Sequence, residues 1–316
     1  MTHASLARQD QARGALLALA CGDRYGAPLE FIRDVSVRTR PVILGNWTDD
    51  THMSIYLGRA ILAHGPSPLQ PDRFGRAVGE AFVKWRHDPM MPSTAPGNTC
   101  ITGAANYEQD RDWRTSGVPE SDGCGAVMRL VPVALGFRGA DLVAAARISA
   151  LVTHAHPNAL EATIAGAWLV REILERQYWG EDLVIEAIDH LEATWHQGGD
   201  VAAALRAALA WAPRGEDWLD EAAIPHGDGG RRSGSALGLA VAAALRWRDD
   251  LGLAVEKSAR IPGDSDSVAC LTGALLGAAG GTAAIPAPWL ATLPQRQTLA
   301  MLAEQLWAQG CLVPLD

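Results

Sequence analysis

Two short acidic segments carry side chains that could bind a divalent cation. They are residues 47–51, of sequence WTDDT, and residues 262–267, of sequence PGDSDS, and each comes just before a helical pattern. Helix capping would explain one Asp, Ser or Thr at such a place, because that side chain satisfies backbone N–H groups of the first turn. Each segment has at least two carboxylates and a hydroxyl, however, and crowded carboxylates repel one another unless a cation lies between them. Either segment alone is compatible with capping.

Taken together, the two segments favour a metal site. Oxygen ligands from two loops are the ligands that Mg²⁺ and Mn²⁺ prefer. More than two hundred residues separate the segments, so the fold would have to bring them together. A phosphohydrolase of the aspartyl-phosphate kind also uses Asp-x-Asp with Mg²⁺, but it needs that motif at the end of a hydrophobic strand. Here the motif follows Pro262-Gly263 and opens a helix, which argues against that class.

The elements that would position these segments are predicted to be helices. Apolar residues recur at three- and four-residue steps, and Gly and Pro clusters separate the stretches. One short stretch, 35–42, could form a strand. The pattern predicts an all-α fold, a single compact domain over residues 1–316 without repeats or a linker. The predicted helices are 6–21, 53–63, 72–86, 142–151, 159–176, 183–191, 201–211, 236–247, 268–279 and 296–309.

Composition excludes several classes of function. The chain has 316 residues, 27 Lys+Arg and 36 Asp+Glu, for a net charge of −9. Such a chain, without a basic run, lacks the electrostatic footprint of a general nucleic-acid-binding protein. Its apolar runs are shorter than the ~18–20 residues that cross a bilayer, so no membrane association is expected. Five scattered cysteines indicate a reducing compartment, which favours the cytoplasm. The sequence carries no signal for an oligomeric state.

Five segments, in this order along the chain, resemble the ADP-ribosylglycohydrolase family. That family includes the dinitrogenase-reductase-activating glycohydrolases and the ADP-ribosylhydrolases. Any one segment is weak evidence for the family, but the ordered set is highly specific and spans residues 14 to about 281. The resemblance implies a compact, mostly α-helical domain around a cleft that holds two metal ions. The segments are 14–23 with 26–30, then 47–51, 124–132, 153–157, and 263–269 with 273–278.

The resemblance implies a dinuclear Mg²⁺ or Mn²⁺ site with two sets of oxygen ligands. Glu30 matches an acidic residue on a flap beside the reacting ribose, although by itself it would be an ordinary surface acid. Catalytic roles are expected for Glu30 and for the carboxylates of Asp49, Asp50 and Asp266. The first ligand set is Thr48, Asp49 and Asp50, and the second is Asp264, Asp266 and Ser267.

Other positions are expected to contact ADP-ribose. His154 matches a position that lines the cleft, and the alternative is a partly buried, hydrogen-bonded histidine. Gly97-Asn98-Thr99 and Gly125 resemble backbone that approaches diphosphate and ribose, although a Pro-Gly sequence is often only a turn. Arg129 could contact a phosphate or pair with a structural acid.

One departure from the family pattern concerns substrate preference. Many members have Asn-Gly where this chain has Cys124-Gly125, so a thiol, which is a weak hydrogen-bond donor, replaces a carboxamide. Cys124 is not expected to act as a nucleophile, because no base lies near it in the sequence.

The function predicted from this resemblance is metal-dependent hydrolysis of the bond that links ADP-ribose to a protein side chain or a small conjugate. The transition state would resemble an oxocarbenium ion, which nearby carboxylates stabilise. Glu30 or a metal-bound Asp could accept the proton of the attacking water. The alternative is a non-catalytic relative that keeps the fold and binds ADP-ribose.

The linkage is predicted from an acidic stretch between Tyr107 and Asp122. Carboxylates are the best partners for a guanidinium group, so an acidic rim would favour ADP-ribosylated arginine over serine. The alternative is an ordinary solvated loop, and Asp122 lies closest in sequence to the cleft segment. The acids are Glu108, Asp110, Asp112, Glu120 and Asp122.

Overall fold

The structure, a computed structural model, describes residues 3–32, 42, 44–66, 68–214 and 228–312. Within these ranges the protein is helical, and the only β-type pairings are two isolated bridges, Val118 with His154 and Gly123 with Arg232. The predicted all-α fold is therefore confirmed. The suggested strand at 35–42 lies outside the described residues except for Val42, which is not in a strand.

The α-helices of the described residues include all ten that the sequence predicts, with ends shifted by a few positions. They are α1 His3–Gly26, α2 Asp49–His64, α3 Pro71–Arg86, α4 Asn98–Asp110, α5 Val131–Gly136, α6 Gly139–Leu151, α7 Pro157–Arg176, α8 Glu181–His190, α9 Val201–Trp211, α10 Ser233–Arg246, α11 Leu251–Ala259, α12 Ser265–Gly280, α13 Ala287–Ala291 and α14 Arg296–Leu312. A π-helical turn, Leu191–Trp195, follows α8.

Four of these helices were not predicted from the sequence. Helices α5, α11 and α13 have six, nine and five residues, too few for an apolar repeat to stand out. Helix α4 has thirteen residues, but polar side chains fill much of its first half, and its start follows a Pro-Gly pair that reads as a turn.

Helices α1 and α12 pack against each other at unusually short range. A Cβ atom built on Gly22 would lie 2.1 Å from the carbonyl oxygen of Ala269, and one on Gly273 would lie 2.2 Å from that of Ala18. Glycine is therefore required for this approach. Helix α12 is buried along almost its whole length, which fits its lack of a polar face.

This helix pair fixes the start of α12 beside the end of α1. The hydroxyl of Ser265 donates a hydrogen bond of 3.1 Å to the carbonyl of Gly26. Near the end of α1, the buried carboxylate of Asp23 accepts hydrogen bonds from the backbone N–H groups of Thr48 (2.9 Å) and Thr51 (3.1 Å). Asp23 thereby holds the start of α2, so α1 positions both acidic segments.

Candidate active site

The two acidic segments meet at a cavity of about 150 Å³ beside the first turns of α2, α4 and α12. The remaining walls are mostly backbone and small side chains from residues 95–100 and 123–128. The cavity is therefore an anionic cleft that the fold assembles from distant parts of the chain. Its carboxylates come from Glu30, Asp49, Asp50, Asp264 and Asp266.

Most of the side chains that sequence reasoning selected line this cavity. Of the expected catalytic, metal-binding and substrate-binding residues, Thr48 and Asp122 do not line it, and Asp122 forms an ion pair of 3.4 Å with Arg232. The selected residues that line it are Glu30, Asp49, Asp50, Gly97, Asn98, Thr99, Cys124, Gly125, His154, Asp264, Asp266 and Ser267.

Capping and cleft formation occur together at both acidic segments. The hydroxyl of Thr48 caps α2 by accepting a hydrogen bond of 3.4 Å from the N–H of Asp50. A carboxylate oxygen of Asp264 caps α12 by accepting one of 3.3 Å from the N–H of Ser267. One side chain caps each helix, so capping does not explain the presence of the carboxylates of Asp50 and Asp266.

Several carboxyl groups of the cavity have raised pKa values, because burial and neighbouring negative charges disfavour their ionised forms. Burial, together with the negative charges of Asp264, Asp49 and Asp23, raises the pKa of Glu30 to about 8. Burial likewise raises the pKa of Asp49 to about 7. Both groups would therefore exchange protons near neutral pH.

Asp50 and Asp266 show the same effect most strongly. Burial and the neighbouring carboxylates raise the pKa of both residues well above the usual range. Oδ2 of Asp50 and Oδ1 of Asp266 are buried without a hydrogen-bond partner among the described residues. Such oxygens cost free energy. A divalent cation would remove this cost and neutralise the repulsion, so the donors suit a hard metal ion.

The carboxylate, imidazole and thiol groups of the described residues do not by themselves form a preassembled group of three metal ligands. The fit to a metal therefore depends on the chemistry of the oxygen donors, which include the hydroxyls of Thr48 and Ser267. The Thr48 hydroxyl lies 3.5 Å from a carboxylate oxygen of Asp50.

Asp23 is a site residue that sequence reasoning did not select. Burial raises its pKa to about 6, and its hydrogen bonds to Thr48 and Thr51 oppose this rise. It does not line the cavity but holds the start of α2 through Thr48 and Thr51, so its role is to position the acidic residues of the cleft. The available signal was its place beside Gly22, at the end of the first segment that resembles the family.

Cys124 is part of the acidic wall of the cavity. Its thiol donates a hydrogen bond of 3.0 Å to Asp264 and accepts one of 3.6 Å from the hydroxyl of Ser267. Burial and the charge of Asp264 raise the pKa of the thiol well above its usual value. The group is therefore a neutral thiol, which supports the expectation that it is not a nucleophile.

A buried cation supports the floor of the cavity. The Arg129 guanidinium donates hydrogen bonds to the carbonyl of Gly125, to that of Ser149 (3.3 Å) and to the hydroxyl of Thr153 (2.6 Å). Arg129 does not line the cavity. Its hydrogen-bond partners are carbonyls, a hydroxyl and sulfur atoms, and among the described residues it forms no ion pair with a carboxylate. Its role is to hold the backbone of the cleft.

His154 is connected to this support and also faces the cavity. Its Nδ1 lies 2.8 Å from the hydroxyl of Thr153, which the Arg129 guanidinium contacts. Burial, with the charge of Arg129, lowers the pKa of His154 to about 3. The two alternatives expected for His154 therefore occur together. The side chain is buried and hydrogen-bonded, and its neutral ring also lines the cleft.

The first turn of α4 lines the cavity, and the N–H groups of a helix's first turn have no partner within the helix. Gly97 caps this helix, and its N–H donates a hydrogen bond of 3.1 Å to Asp49. The positive end of the helix dipole favours an anion such as a phosphate group. Across from it, a Cβ on Gly125 would lie 2.6 Å from the sulfur of Cys100, so only glycine fits there.

The acidic stretch 107–122 is not an open anionic rim. Glu108 and Asp110 end α4, and Glu108 contacts Arg86 at 2.6 Å and His87 at 2.8 Å. Asp112 lies 3.6 Å from Arg114. None of the five acids in this described stretch lines the cavity.

No described helix is both long and apolar enough to cross a membrane.

The chain belongs to the ADP-ribosylglycohydrolase family, whose sequence model matches residues 4–313. It is 27% identical to the ADP-ribosylarginine hydrolase Tri1 of Serratia proteamaculans, over 94% of this chain and 79% of that protein. It is 34% identical to the ADP-ribosyl-[dinitrogen reductase] glycohydrolase of Rhodospirillum rubrum, over 47% of this chain and 52% of that one. A solved ADP-ribosylglycohydrolase-related protein complex has a chain of similar fold, with a TM-score of 0.74 and 28% identity over 96% of this chain and 99% of that chain.

Proposed function

We propose that this protein is a metal-dependent hydrolase that releases ADP-ribose from modified protein side chains. The observation that carries the proposal is the pair of buried, unpartnered oxygens of Asp50 and Asp266 in one cleft. The membership of the family supports the glycohydrolase chemistry. The geometry supports the metal requirement, because a cation would neutralise carboxylates that otherwise repel one another.

Two cations, Mg²⁺ or Mn²⁺, would be held by two sets of oxygen donors. When bound, such ions lower the pKa of a coordinated water and fix the hydroxyls of a ribose. The hydroxyls of Thr48 and Ser267 would complete the sets, since both lie next to the acidic residues. The sets are Thr48, Asp49 and Asp50 on one side and Asp264, Asp266 and Ser267 on the other.

The protein's own residues would orient the substrate and stabilise charge. The carboxylates of the cavity would stabilise the positive charge that develops on the ribose as the glycosidic bond breaks. Burial and the neighbouring carboxylates raise the pKa of Glu30 in the metal-free cleft, and bound cations would lower it again. Glu30 would then be a carboxylate that can accept a proton, as a general base must. The first turn of α4 would bind the diphosphate, and neutral His154 would hydrogen-bond the ligand without adding charge.

Arginine-linked ADP-ribose is the proposed substrate. Support comes from a relative that is named for action on ADP-ribosylarginine and covers most of this chain. The acidic stretch 107–122 gives little support of its own, because Glu108, Asp112 and Asp122 already contact basic side chains of the protein.

A hydrolysis panel tests the proposal directly. ADP-ribose linked to arginine, to serine, to acetate and to nucleic-acid ends is incubated with the protein and Mg²⁺ or Mn²⁺. We expect release from the arginine conjugate in either metal and none in excess chelator. Faster release from serine would overturn the linkage, and full turnover in chelator would overturn the metal requirement. Binding of ADP-ribose without turnover of any conjugate would favour a non-catalytic relative.

A further inference from the structure

A second chamber adjoins the acidic cleft. Its volume is about 680 Å³, against about 150 Å³ for the cleft. Glu30 and Arg231 line both spaces, so the two adjoin at these side chains. The other walls of the chamber are Phe31, Ile32, Pro262 and Gly263.

The backbone around Arg231 is anchored to both sides of the cleft. Its carbonyl accepts a hydrogen bond of 3.0 Å from the N–H of Cys124. Two residues earlier, the carbonyl of Gly229 accepts one of 2.8 Å from the N–H of Asp264. The guanidinium also donates to the carbonyl of Asp228 at 3.0 Å. Arg231 is therefore held at the junction of the two spaces.

The charge of Arg231 is available to a ligand. Arg231 is the only Lys or Arg among the described residues that line the cleft, and its side chain is exposed. Among the described residues no carboxylate lies within ion-pair distance of it, although its charge acts on Glu30, whose pKa it lowers. Its neighbour Arg232, in contrast, lies 3.4 Å from Asp122 and 3.9 Å from Asp228.

The two spaces would receive different parts of a substrate. Gly97, Thr99 and Gly125, which are expected to approach the ADP part, line the cleft and not the chamber, whereas Phe31 lines the chamber and not the cleft. With the reacting ribose at the carboxylates, the group on the other side of the glycosidic bond would pass between Glu30 and Arg231. This step rests on the proposed function.

We infer that the second chamber binds the modified protein segment, and that Arg231 selects segments with an acidic residue next to the ADP-ribosylated side chain. Opposite charges at this exposed junction attract each other, while a basic neighbour would be repelled. Phe31, which is 75% exposed, offers an apolar surface to the same segment. Arg231 is thus a specificity-determining residue of the leaving-group side.

Two matched peptides test this inference. Each carries one ADP-ribosylated arginine, followed by Glu in the first peptide and by Lys in the second. We expect the wild-type protein to have a kcat/KM about two- to fivefold higher for the Glu peptide, the range of an exposed ion pair. Arg231→Glu should reverse the preference, and Arg231→Gln should remove it. Arg73→Glu makes the same charge change on an exposed residue of α3, and should keep the wild-type ratio.

The outcomes separate this inference from the proposed function. Equal rates for both peptides in the wild type, or an unchanged ratio in Arg231→Glu, would overturn the inference while turnover leaves the proposed function standing. The inference is also overturned if Arg231→Glu slows the hydrolysis of both peptides equally and weakens inhibition by free ADP-ribose to the same degree. That result would mean that Arg231 binds the diphosphate. If the wild type releases ADP-ribose from no conjugate, the proposed function fails and the inference fails with it.

Discussion

At the scale of single residues, Asp50 and Asp266 come from distant segments of the chain and line one cavity. Their buried oxygens have no hydrogen-bond partner among the described residues. A buried carboxylate in that state lowers the stability of the fold, and a cation that binds it would offset this cost.

We predict that Asp50→Asn and Asp266→Asn each lower kcat by at least ~10²-fold, and that the double variant is little worse than either single one. Ligands that hold one metal centre act as a unit, so their effects do not add. Steady-state rates with saturating metal give the three values. Near-normal activity of either single variant, or additive losses in the double variant, would contradict a shared site.

Both single variants should remain folded, since removing one carboxylate from this cluster relieves repulsion. Their thermal unfolding midpoints in chelator should equal or exceed that of the wild type. A drop of many degrees would instead mean that the carboxylates support the fold.

The raised pKa values predict how stability depends on pH. The pKa of Glu30 is about 8 and that of Asp49 about 7 in the folded protein, against 4.5 and 3.8 ordinarily. Between about pH 8.5 and 6.5, the folded state takes up protons that the unfolded chain does not, so stability increases as the pH falls. We expect the unfolding midpoint of metal-free protein to rise over this interval.

His154 sets the lower limit of that interval. Its folded pKa is about 3, against 6.5 ordinarily, so below about pH 6.5 the unfolded chain binds a proton that the folded state does not. Protonation of His154 in the unfolded chain opposes the effect of the carboxylates, so the unfolding midpoint should rise less steeply below about pH 6.5. Differential scanning calorimetry in chelator at several pH values measures both effects, and a midpoint that falls from pH 8.5 to 6.5 would contradict the assigned shifts.

At the scale of elements, the contact between α1 and α12 decides where the acidic segments lie. Small residues face each other along the contact, so the two backbones nearly touch at Gly14 with Gly277 and at Gly22 with Ala269. The start of α12 and the end of α1 are thereby placed side by side, and Asp23 then holds the start of α2.

Gly273→Ala should therefore destabilise the protein by about 1–3 kcal/mol or more, the usual cost of overpacking. The new Cβ would lie 2.2 Å from the carbonyl oxygen of Ala18, which the helix backbone holds in place. Gly234→Ala in α10 is the matched control, because its Cβ would meet its nearest atom, on Val201, at 3.6 Å. Denaturant unfolding of both variants checks this, and equal effects would show that the close helix contact is not limiting.

At the scale of the whole molecule, a metal that binds only the folded state should couple activity to stability. We expect excess chelator to abolish activity and to lower the unfolding midpoint, and Mg²⁺ or Mn²⁺ to restore both in proportion to the occupied sites. Zn²⁺ should restore activity poorly, because the proposed donors are all oxygens.

Metal content and unfolding midpoints of the same samples provide the measurement. Asp266→Asn serves as the control, since its midpoint should respond less to Mn²⁺ than that of the wild type. If chelator changes neither the rate nor the midpoint, the two-metal proposal is wrong.

The sequence by itself determined the fold class and selected most of the side chains that line the cleft. The helical periodicity of α7 and α14 is a local property, so it could be read from the residues alone. Asp49 and Asp266 could be selected because acids crowded at helix starts exceed what capping requires. The short helices α5 and α13 could not be predicted from the sequence, because tertiary packing rather than a local pattern stabilises a helix of one or two turns.

Only the tertiary structure decided which of the selected residues meet, and with what partners. The acids of 107–122 looked like a free rim in sequence, but Glu108 and Asp122 lie beside basic side chains from other segments. No sequence pattern selected Arg231, yet the fold places it between the cleft and a larger chamber. Charge pairing and burial depend on neighbours that are remote along the chain, so no local pattern carries them.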